Sequence, residues 1–300
     1  VKKILLTGVN GQVGHAIQKK ILNHQVFALN REQLDLSDKD VIRRVVQTIK
    51  PDLIINPAAY TAVDKAESET ALASAINVIA PQILAEEASK LNAAMIHFST
   101  DYVYDGSKLI DYVETDAVNP LSVYGKSKLA GEEAIRAVGL PHLVLRTSWV
   151  YGAYGKNFLK TIIRLASERD SLRIVADQFG APTSSESIAD AVIELLNSWQ
   201  PQDDIQTGVY HFTNQGKVSW YGFSCEIVRE YNILAAENNK AFLKVPLEKI
   251  EPITTANYPT PAARPANSTL NNQKLKQVFG VELPSWEQGL QQVIKSLEIN

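Results

Sequence analysis

Apolar residues along the chain fall into two alternating patterns, short continuous runs and longer stretches spaced at helical intervals. Lys3-Ile-Leu-Leu-Thr7 is the first run, and its length predicts a strand buried on both faces. A helical pattern on Val13, Ile17 and Ile21 follows, closed by Asn23-His24. Gln25-Val-Phe-Ala-Leu29 predicts a second strand, and Ser37 or Asp38 is placed to cap a helix carrying Val41, Val45 and Ile49. Pro51-Asp52 stops that helix, and Leu53-Ile-Ile-Asn56 predicts the third strand. Residues 71 to 91 predict a long apolar helix, Met95–Phe98 a fourth strand and Leu143–Arg146 a fifth. Between the last two lie a polar surface loop, 105–120, and a helix over 124–138.

Strands without internal alternation, separated by helices, argue for an α/β fold, a doubly wound parallel sheet of the Rossmann type. Beyond a helix at 157–167 the rhythm loosens. Leu172–Val175 predicts a strand, 187–199 a helix and Val209–Phe212 a short strand, and from Trp220 onward the pattern suggests short helices and Pro-rich connections. The expected division is a nucleotide-binding domain over 1–152 and a smaller substrate-binding domain over 153–300. The strand near 209 is a candidate to return to the first sheet, which would interleave the two.

Composition narrows the class. The 300 residues are 45% apolar and 21% charged with a net charge of −3, as in ordinary soluble globular chains. No basic run is present to track a nucleic acid, and no long apolar segment suggests a signal peptide or a membrane span. The single Cys225 precludes an intrachain disulfide, and a reducing cytoplasm fits.

Two motifs carry chemistry. Gly8-x-x-Gly11-x-x-Gly14 lies between the first strand and the first helix, where glycines permit a tight turn and bring backbone N–H groups to a pyrophosphate. The second strand ends in Leu29-Asn30-Arg31, without the acid that would bond a ribose 2′-hydroxyl and with an arginine suited to a 2′-phosphate. NADPH is therefore favoured, NADH use stays open, and Asp35-Leu36 is placed near the adenine. The second motif is Tyr124-Gly-Lys-Ser-Lys128, whose phenol and ammonium share a helix face at i, i+4. With the Thr100 hydroxyl, at the end of the fourth apolar run, the set suits protonation of a carbonyl oxygen, the ammonium favouring the phenolate.

These motifs, together with Asn56-Pro-Ala-Ala-Tyr-Thr-Ala-Val-Asp-Lys-Ala-Glu67, Ser99–Tyr104, Arg146–Tyr151, Asp177–Thr183 and Tyr258-Pro-Thr-Pro-Ala-Ala-Arg-Pro265, resemble the extended short-chain dehydrogenase/reductases. The Val-Asp-Lys-Ala-Glu, Gln-Phe-Gly-Ala-Pro-Thr and Pro-Thr-Pro-Ala-x-Arg-Pro runs narrow the resemblance to the branch acting on dTDP-4-dehydrorhamnose. It implies that NADPH reduces the C4 carbonyl of a dTDP-sugar, with Tyr124 as proton donor, Lys128 as its partner and Thr100 as third catalytic residue. It further implies that Gly11, Gln12 and Val13 touch the pyrophosphate and that Ala58, Ala59 and Tyr60 line the cofactor. Asp101 would assist and Trp149 would pack beside the sugar. Asn77 would be either a proton-relay residue or a helix-bending one. Tyr60 stands where relatives often have His. Glu186 and Glu287 match two carboxylates that bridge subunits through a metal in some relatives, but Ala16 aligns with the third, so no metal is expected and the chain is either a monomer or a homodimer.

A sugar nucleotide needs cationic and amide donors for its diphosphate. Arg264 is the candidate for that role, with a packing or salt-bridge role as the alternative, and Asn157-Phe158 is placed to anchor the nucleotide. Gln178 and Ala181-Pro-Thr183 are candidates for the pocket wall. Two other functions fit the fold. Epimerases and dehydratases retain NAD, which calls for an acid near Asn30-Arg31, and dehydratases carry Asp-Glu where this chain has Asp101-Tyr102. A non-catalytic NADP-binding regulatory subunit, such as the β subunit of methionine adenosyltransferase, is the other.

Overall fold

The computed structural model describes residues 1–297. Its first half runs β1 (Lys3–Leu6), α1 (Gln12–Lys20), β2 (Gln25–Ala28), α2 (Lys39–Ile49), β3 (Leu53–Asn56), a short α3 (Val63–Ala66), α4 (Thr70–Ser74) and α5 (Ala80–Lys90). β4 (Ala94–Thr100), α6 (Val123–Val138) and β5 (His142–Thr147) complete it. Asp38, one of the two expected caps, holds the start of α2 by accepting from the N–H groups of Asp40 and Val41. β4 runs two residues beyond its apolar core because Ser99 and Thr100 stay in register with Arg146 and Thr147 of β5.

The second half contributes β6 (Val150–Tyr151), α7 (Phe158–Glu168), β7 (Leu172–Val175), β8 (Phe179–Gly180), β9 (Thr183–Ser184) and α8 (Ser185–Ser198). It continues with β10 (Gly208–His211), β11 (Val218–Ser219), α9 (Trp220–Glu237), β12 (Ile250–Ile253), α10 (Gln273–Phe279) and α11 (Trp286–Lys295). The large sheet is parallel, in the order β10-β5-β4-β3-β1-β2. β10 pairs with β5 at its edge. The remaining strands form three two-stranded pairings, β11 with β8, β12 with β7 and β6 with β9.

Strand side chains point alternately to the two faces, and both faces are covered, so the runs are continuously apolar. Ile4, Leu6, Ile55, Ile96 and Leu145 meet Ile17 of α1 and Ile188, Val192 and Leu195 of α8. Leu5, Ile54 and Met95 meet Ile42 and Val46 of α2, Ile83 and Leu84 of α5, and Ile135 of α6. A separate core of Tyr151, Leu159, Leu172, Phe223, Ile227, Leu290 and Val293 holds the C-terminal elements together.

Two elements differ from the sequence reading. Trp220–Glu237 is one 18-residue helix rather than several short ones; Ser219 caps it, and Phe223, Ile227, Val228 and Ala235 give it one buried face. The long helix at 71–91 is interrupted by a π-turn, Ala75–Ile79, between α4 and α5. The extra residue of that turn accompanies the inward Asn77, whose carboxamide leaves the helix for other partners.

Candidate active site

The sheet order reverses between β1 and β3, since the chain leaves β1 for β2 on one side and returns to β3 on the other. Crevices at such reversals, at the C-terminal ends of the strands, receive ligands in α/β sheets. A cleft of about 580 Å³ opens there. One wall is Gly8, Gly11, Gln12, Val13 and Gly14, and another is the run from Pro57 through Ala62. Arg31, Asp35 and Leu36 lie at one end, and Ser99, Tyr124, Lys128 and Thr147 also line it.

The glycine turn is built for a close approach. Gly8 has φ +60° and a Cβ there would sit 2.8 Å from the Ala58 Cβ. At Gly14 a Cβ would lie 2.4 Å from the Gly8 carbonyl oxygen, so only glycine lets α1 start this near β1. No side chain caps the N-terminus of α1, leaving its first-turn N–H groups to face an anion. Asn30 does not line the cleft. Its side-chain Oδ1 accepts from the N–H groups of Glu32 and Gln33, a turn that sets the exposed Arg31 at the cleft margin. Asp35 accepts from both the N–H and the hydroxyl of Ser37, which hold its carboxyl below the ordinary range.

Tyr124 and Lys128 follow the Ser122 cap on the first turns of α6. Gly125 lets this helix approach β4's end, since a Cβ there would fall 2.2 Å from the Tyr102 carbonyl oxygen. Burial pushes the Tyr124 phenol up to about 12, with the Asp101 carboxylate adding to the rise and the Thr100 hydroxyl opposing it. The expected depression by the ammonium is absent. Lys128 Nζ instead donates to the Phe98 carbonyl at 2.6 Å and contacts His97 Nε2 at 3.2 Å. Burial lowers the lysine to about 8, against the pull of Glu132.

Thr100 and Asp101 lie buried behind the phenol rather than on the cleft wall. Thr100 Oγ1 donates to Asp101 Oδ1 at 3.0 Å and accepts from the Tyr102 N–H. Burial raises the Asp101 carboxyl to about 6 despite the hydrogen bond from Thr100, and its Oδ2 has no partner among the described residues. Tyr102 meets Tyr124 edge-on at 5.6 Å between centroids, and the Arg264 guanidinium lies 5.9 Å from the Tyr102 ring centre.

The outlying candidates are placed less simply. Asn157 is the cap of α7, and both Nδ2 hydrogens are used, toward Gln12 Oε1 at 2.9 Å and the Gly152 carbonyl at 2.8 Å. Its amide thereby holds Gln12 in the glycine turn. Arg264 donates to both carboxylate oxygens of Asp64 at 2.9 Å and to the Ala262 carbonyl, the salt-bridge alternative, while Nε–H and one Nη1–H remain free. Gln178 donates to Thr255 Oγ1. Trp149 has φ +47° and is wedged between Trp220, stacked at 3.4 Å, and Gly180, where a Cβ would lie 2.5 Å from its ring. Asn77 bonds both the N–H and the carbonyl of Tyr60 and donates to Ser127 Oγ, clamping the loop after β3 onto α6. The Tyr60 hydroxyl donates to Glu69 and is raised to about 12 by that bond.

Sequence reasoning missed Thr147 and Ser99. Thr147 Oγ1 is buried without a partner and lines the cleft, and Ser99 bonds Glu132. The pairing of β4 with β5 brings both there, and only the unusual polar ends of two apolar runs hinted at it. Among the described residues no three His, Cys, Asp or Glu side chains converge as a metal site, and no helix is long and apolar enough to cross a membrane.

Comparison with known proteins agrees with this architecture. Residues 2–299 match the family described as the RmlD substrate binding domain. The chain is 44% identical over 299 residues to a dTDP-4-dehydrorhamnose reductase of Burkholderia thailandensis, covering 98% of this chain and 99% of that one. Among solved structures, a dTDP-4-dehydrorhamnose reductase from Clostridium acetobutylicum superposes with a TM-score of 0.89 at 38% identity, over 99% of this chain and 100% of its own. The Bacillus anthracis reductase, solved in complex with NADP, gives 0.88 at 33% identity over 98% and 99%.

Proposed function

Since the chain belongs to the RmlD substrate binding domain family, we propose that it reduces the C4 carbonyl of dTDP-4-dehydro-β-L-rhamnose with NADPH. The product is dTDP-β-L-rhamnose, so the reaction closes the synthesis of that nucleotide sugar. The observation that carries the reading is that Tyr124 and Lys128 line the same cleft as the glycine turn and Arg31.

The residues present fit the cofactor. The turn from Gly8 to Gly14, with the uncapped start of α1, would hold the pyrophosphate, and Arg31 the 2′-phosphate. Ala58, Ala59 and Tyr60 would form the opposing wall. NADPH supplies the hydride when bound. Tyr124, kept protonated near neutral pH by its burial, gives its phenolic proton to the carbonyl oxygen as that oxygen becomes an alkoxide. Lys128, one turn along the helix, stabilises the phenolate that remains. Thr100 and Asp101 fix the position of the phenol from behind. The free Nε–H and Nη1–H of Arg264 would meet the diphosphate, and Trp149 would present its ring edge to the sugar, its faces being held by Trp220 and Gly180. Residues 1–152 would then serve chiefly the cofactor and 153–300 chiefly the nucleotide sugar, with β10 and α8 lent back to the first sheet.

The test is NADPH oxidation followed at its near-ultraviolet absorbance with dTDP-4-dehydrorhamnose as substrate. Turnover is expected in the wild-type protein, and Tyr124→Phe should lower kcat by about 100-fold or more while leaving NADPH binding intact. A wild-type protein that binds NADPH yet never turns over this substrate would sink the reading.

A further inference from the structure

Behind the cleft a line of buried polar side chains crosses three neighbouring strands. Thr7, Asn56, His97 and Lys128 are each at most 1% exposed. Thr7 Oγ1 and Asn56 Oδ1 are 2.6 Å apart, Asn56 Nδ2 and His97 Nδ1 3.1 Å, and His97 Nε2 and Lys128 Nζ 3.2 Å. Asn56 and His97 are register partners on β3 and β4, so the central link is fixed by the sheet itself. Thr7 directly precedes Gly8, and Lys128 lines the cleft. A histidine in a fully apolar sheet interior is costly unless both ring nitrogens are used, and here both are.

We propose that His97 is a positioning residue for Lys128, accepting one N–H of its ammonium while the Phe98 carbonyl accepts another, so that the third is directed to the cleft. The inference rests on the reading of Tyr124 and Lys128 as the reacting pair. The hydrogens of the chain can run in two directions. With Asn56 Nδ2 donating to His97 Nδ1, the neutral ring carries its hydrogen on Nε2 and requires an uncharged amine at Lys128. With the Asn56 amide turned over, the ring carries its hydrogen on Nδ1 and offers Nε2 to an ammonium. The polarity of the chain and the charge on Lys128 are therefore coupled. Only the second arrangement suits a lysine that must stabilise a phenolate.

The other groups facing Lys128 do not replace this contact. Glu132, one turn further along α6, favours the ammonium, but it is held by the Arg146 guanidinium and the Ser99 hydroxyl. Tyr124, one turn back, is neutral in the resting protein, and Asp101 bears on that phenol. The cost of burying the ammonium already lowers Lys128 to about 8, so loss of one acceptor moves its titration into the working range.

The test compares His97→Gln, whose amide oxygen can reach the place of Nε2, with His97→Asn, which retains a partner for Asn56 but falls short of Lys128. The 13Cε resonance of Lys128 in lysine-labelled protein, assigned by its disappearance in Lys128→Met, is followed through pH. In His97→Asn the midpoint should fall by about one pH unit, and the alkaline limb of kcat should move with it. In His97→Gln both should stay near their wild-type positions. Equal titrations in the two folded variants, or an unchanged Lys128 midpoint in His97→Asn, would overturn the proposal. Wild-type protein without turnover would remove the reductase reading instead, and the resonance would still decide the role of His97.

Discussion

The cleft and the region beside it are built by different means. On the cofactor side the determinants are nearly consecutive, a turn from Gly8 to Gly14 and a loop from Pro57 to Ala62, and glycines and alanines recur in that lining. Around residues 258–268, side chains from distant segments do the building. Arg264 reaches Asp64 across 200 residues of chain. Trp149 is trapped between Gly180 and Trp220, and the Ser268 hydroxyl donates to the Phe179 carbonyl. A turn built on close-packed glycines tolerates almost no added atom but asks little of the rest of the chain. A surface made of paired side chains tolerates volume changes and depends on every segment arriving.

The strongest test of that contrast lies at the seam, at Asp101. Its carboxyl is raised to about 6 by burial. Folding thus favours the protonated form: this contribution to stability is complete below the ordinary carboxyl range and is lost as pH rises through about 6. Asp101→Asn removes the charge and keeps the shape, so it should stabilise the protein by about 3 kcal/mol at pH 8 and by little at pH 3.5. Denaturant melts at the two pH values check this. Equal effects at both would mean that the carboxylate is compensated by the segment around Ser268 better than its orphaned Oδ2 implies.

The same contrast explains what could be read from the sequence. Tyr124 and Lys128 stand out because i, i+4 spacing is local, and the glycine turn because its neighbours are a strand and a helix. The sheet follows from runs such as Leu53–Asn56 that need no alternation. Nothing local reveals that Gln12, 145 residues away, takes the Asn157 amide. Thr147 went unseen because its exposure to the cleft depends on which strand lies beside β5. Helix α9 read as fragments because Gly222 and its aromatic start obscured the spacing of Phe223, Ile227 and Val228. The depressed phenol expected from Lys128 failed for a related reason, since Phe98 and His97 compete for the ammonium from a strand that the helix sequence does not mention.

On the cofactor side, Gly14→Ala is the sharper probe than any charge change. The added methyl would lie 2.4 Å from the Gly8 carbonyl oxygen and 2.8 Å from its carbon, neither of which can swing aside. Overpacking of this kind costs about 2 kcal/mol. It should also shift the turn proposed to hold the pyrophosphate, so the Kd for NADPH should rise by about tenfold or more while the KM for the sugar nucleotide changes little. Fluorescence titration with NADPH separates the two. A variant that binds NADPH normally would show that the turn can retreat and that the contrast is overdrawn.

The smallest expected effect, at the Arg264–Asp64 pair, discriminates most finely within the side-chain-built region. Asp64 is 42% exposed at its side chain, so solvent screens the pair, and breaking it should cost only about 1 kcal/mol or less. If tying the loop at 258–265 to α3 were the whole purpose of Arg264, Asp64→Asn and Arg264→Lys would weaken substrate use equally. Its free Nε–H and Nη1–H predict otherwise. Lysine cannot reproduce the planar fork that meets a carboxylate and a phosphate oxygen at once. Arg264→Lys should therefore raise the KM for the nucleotide sugar severalfold with kcat and NADPH affinity nearly unchanged, and Asp64→Asn should raise it less. Matching KM values in the two variants would reduce Arg264 to a strut between the two regions and leave the diphosphate to other donors.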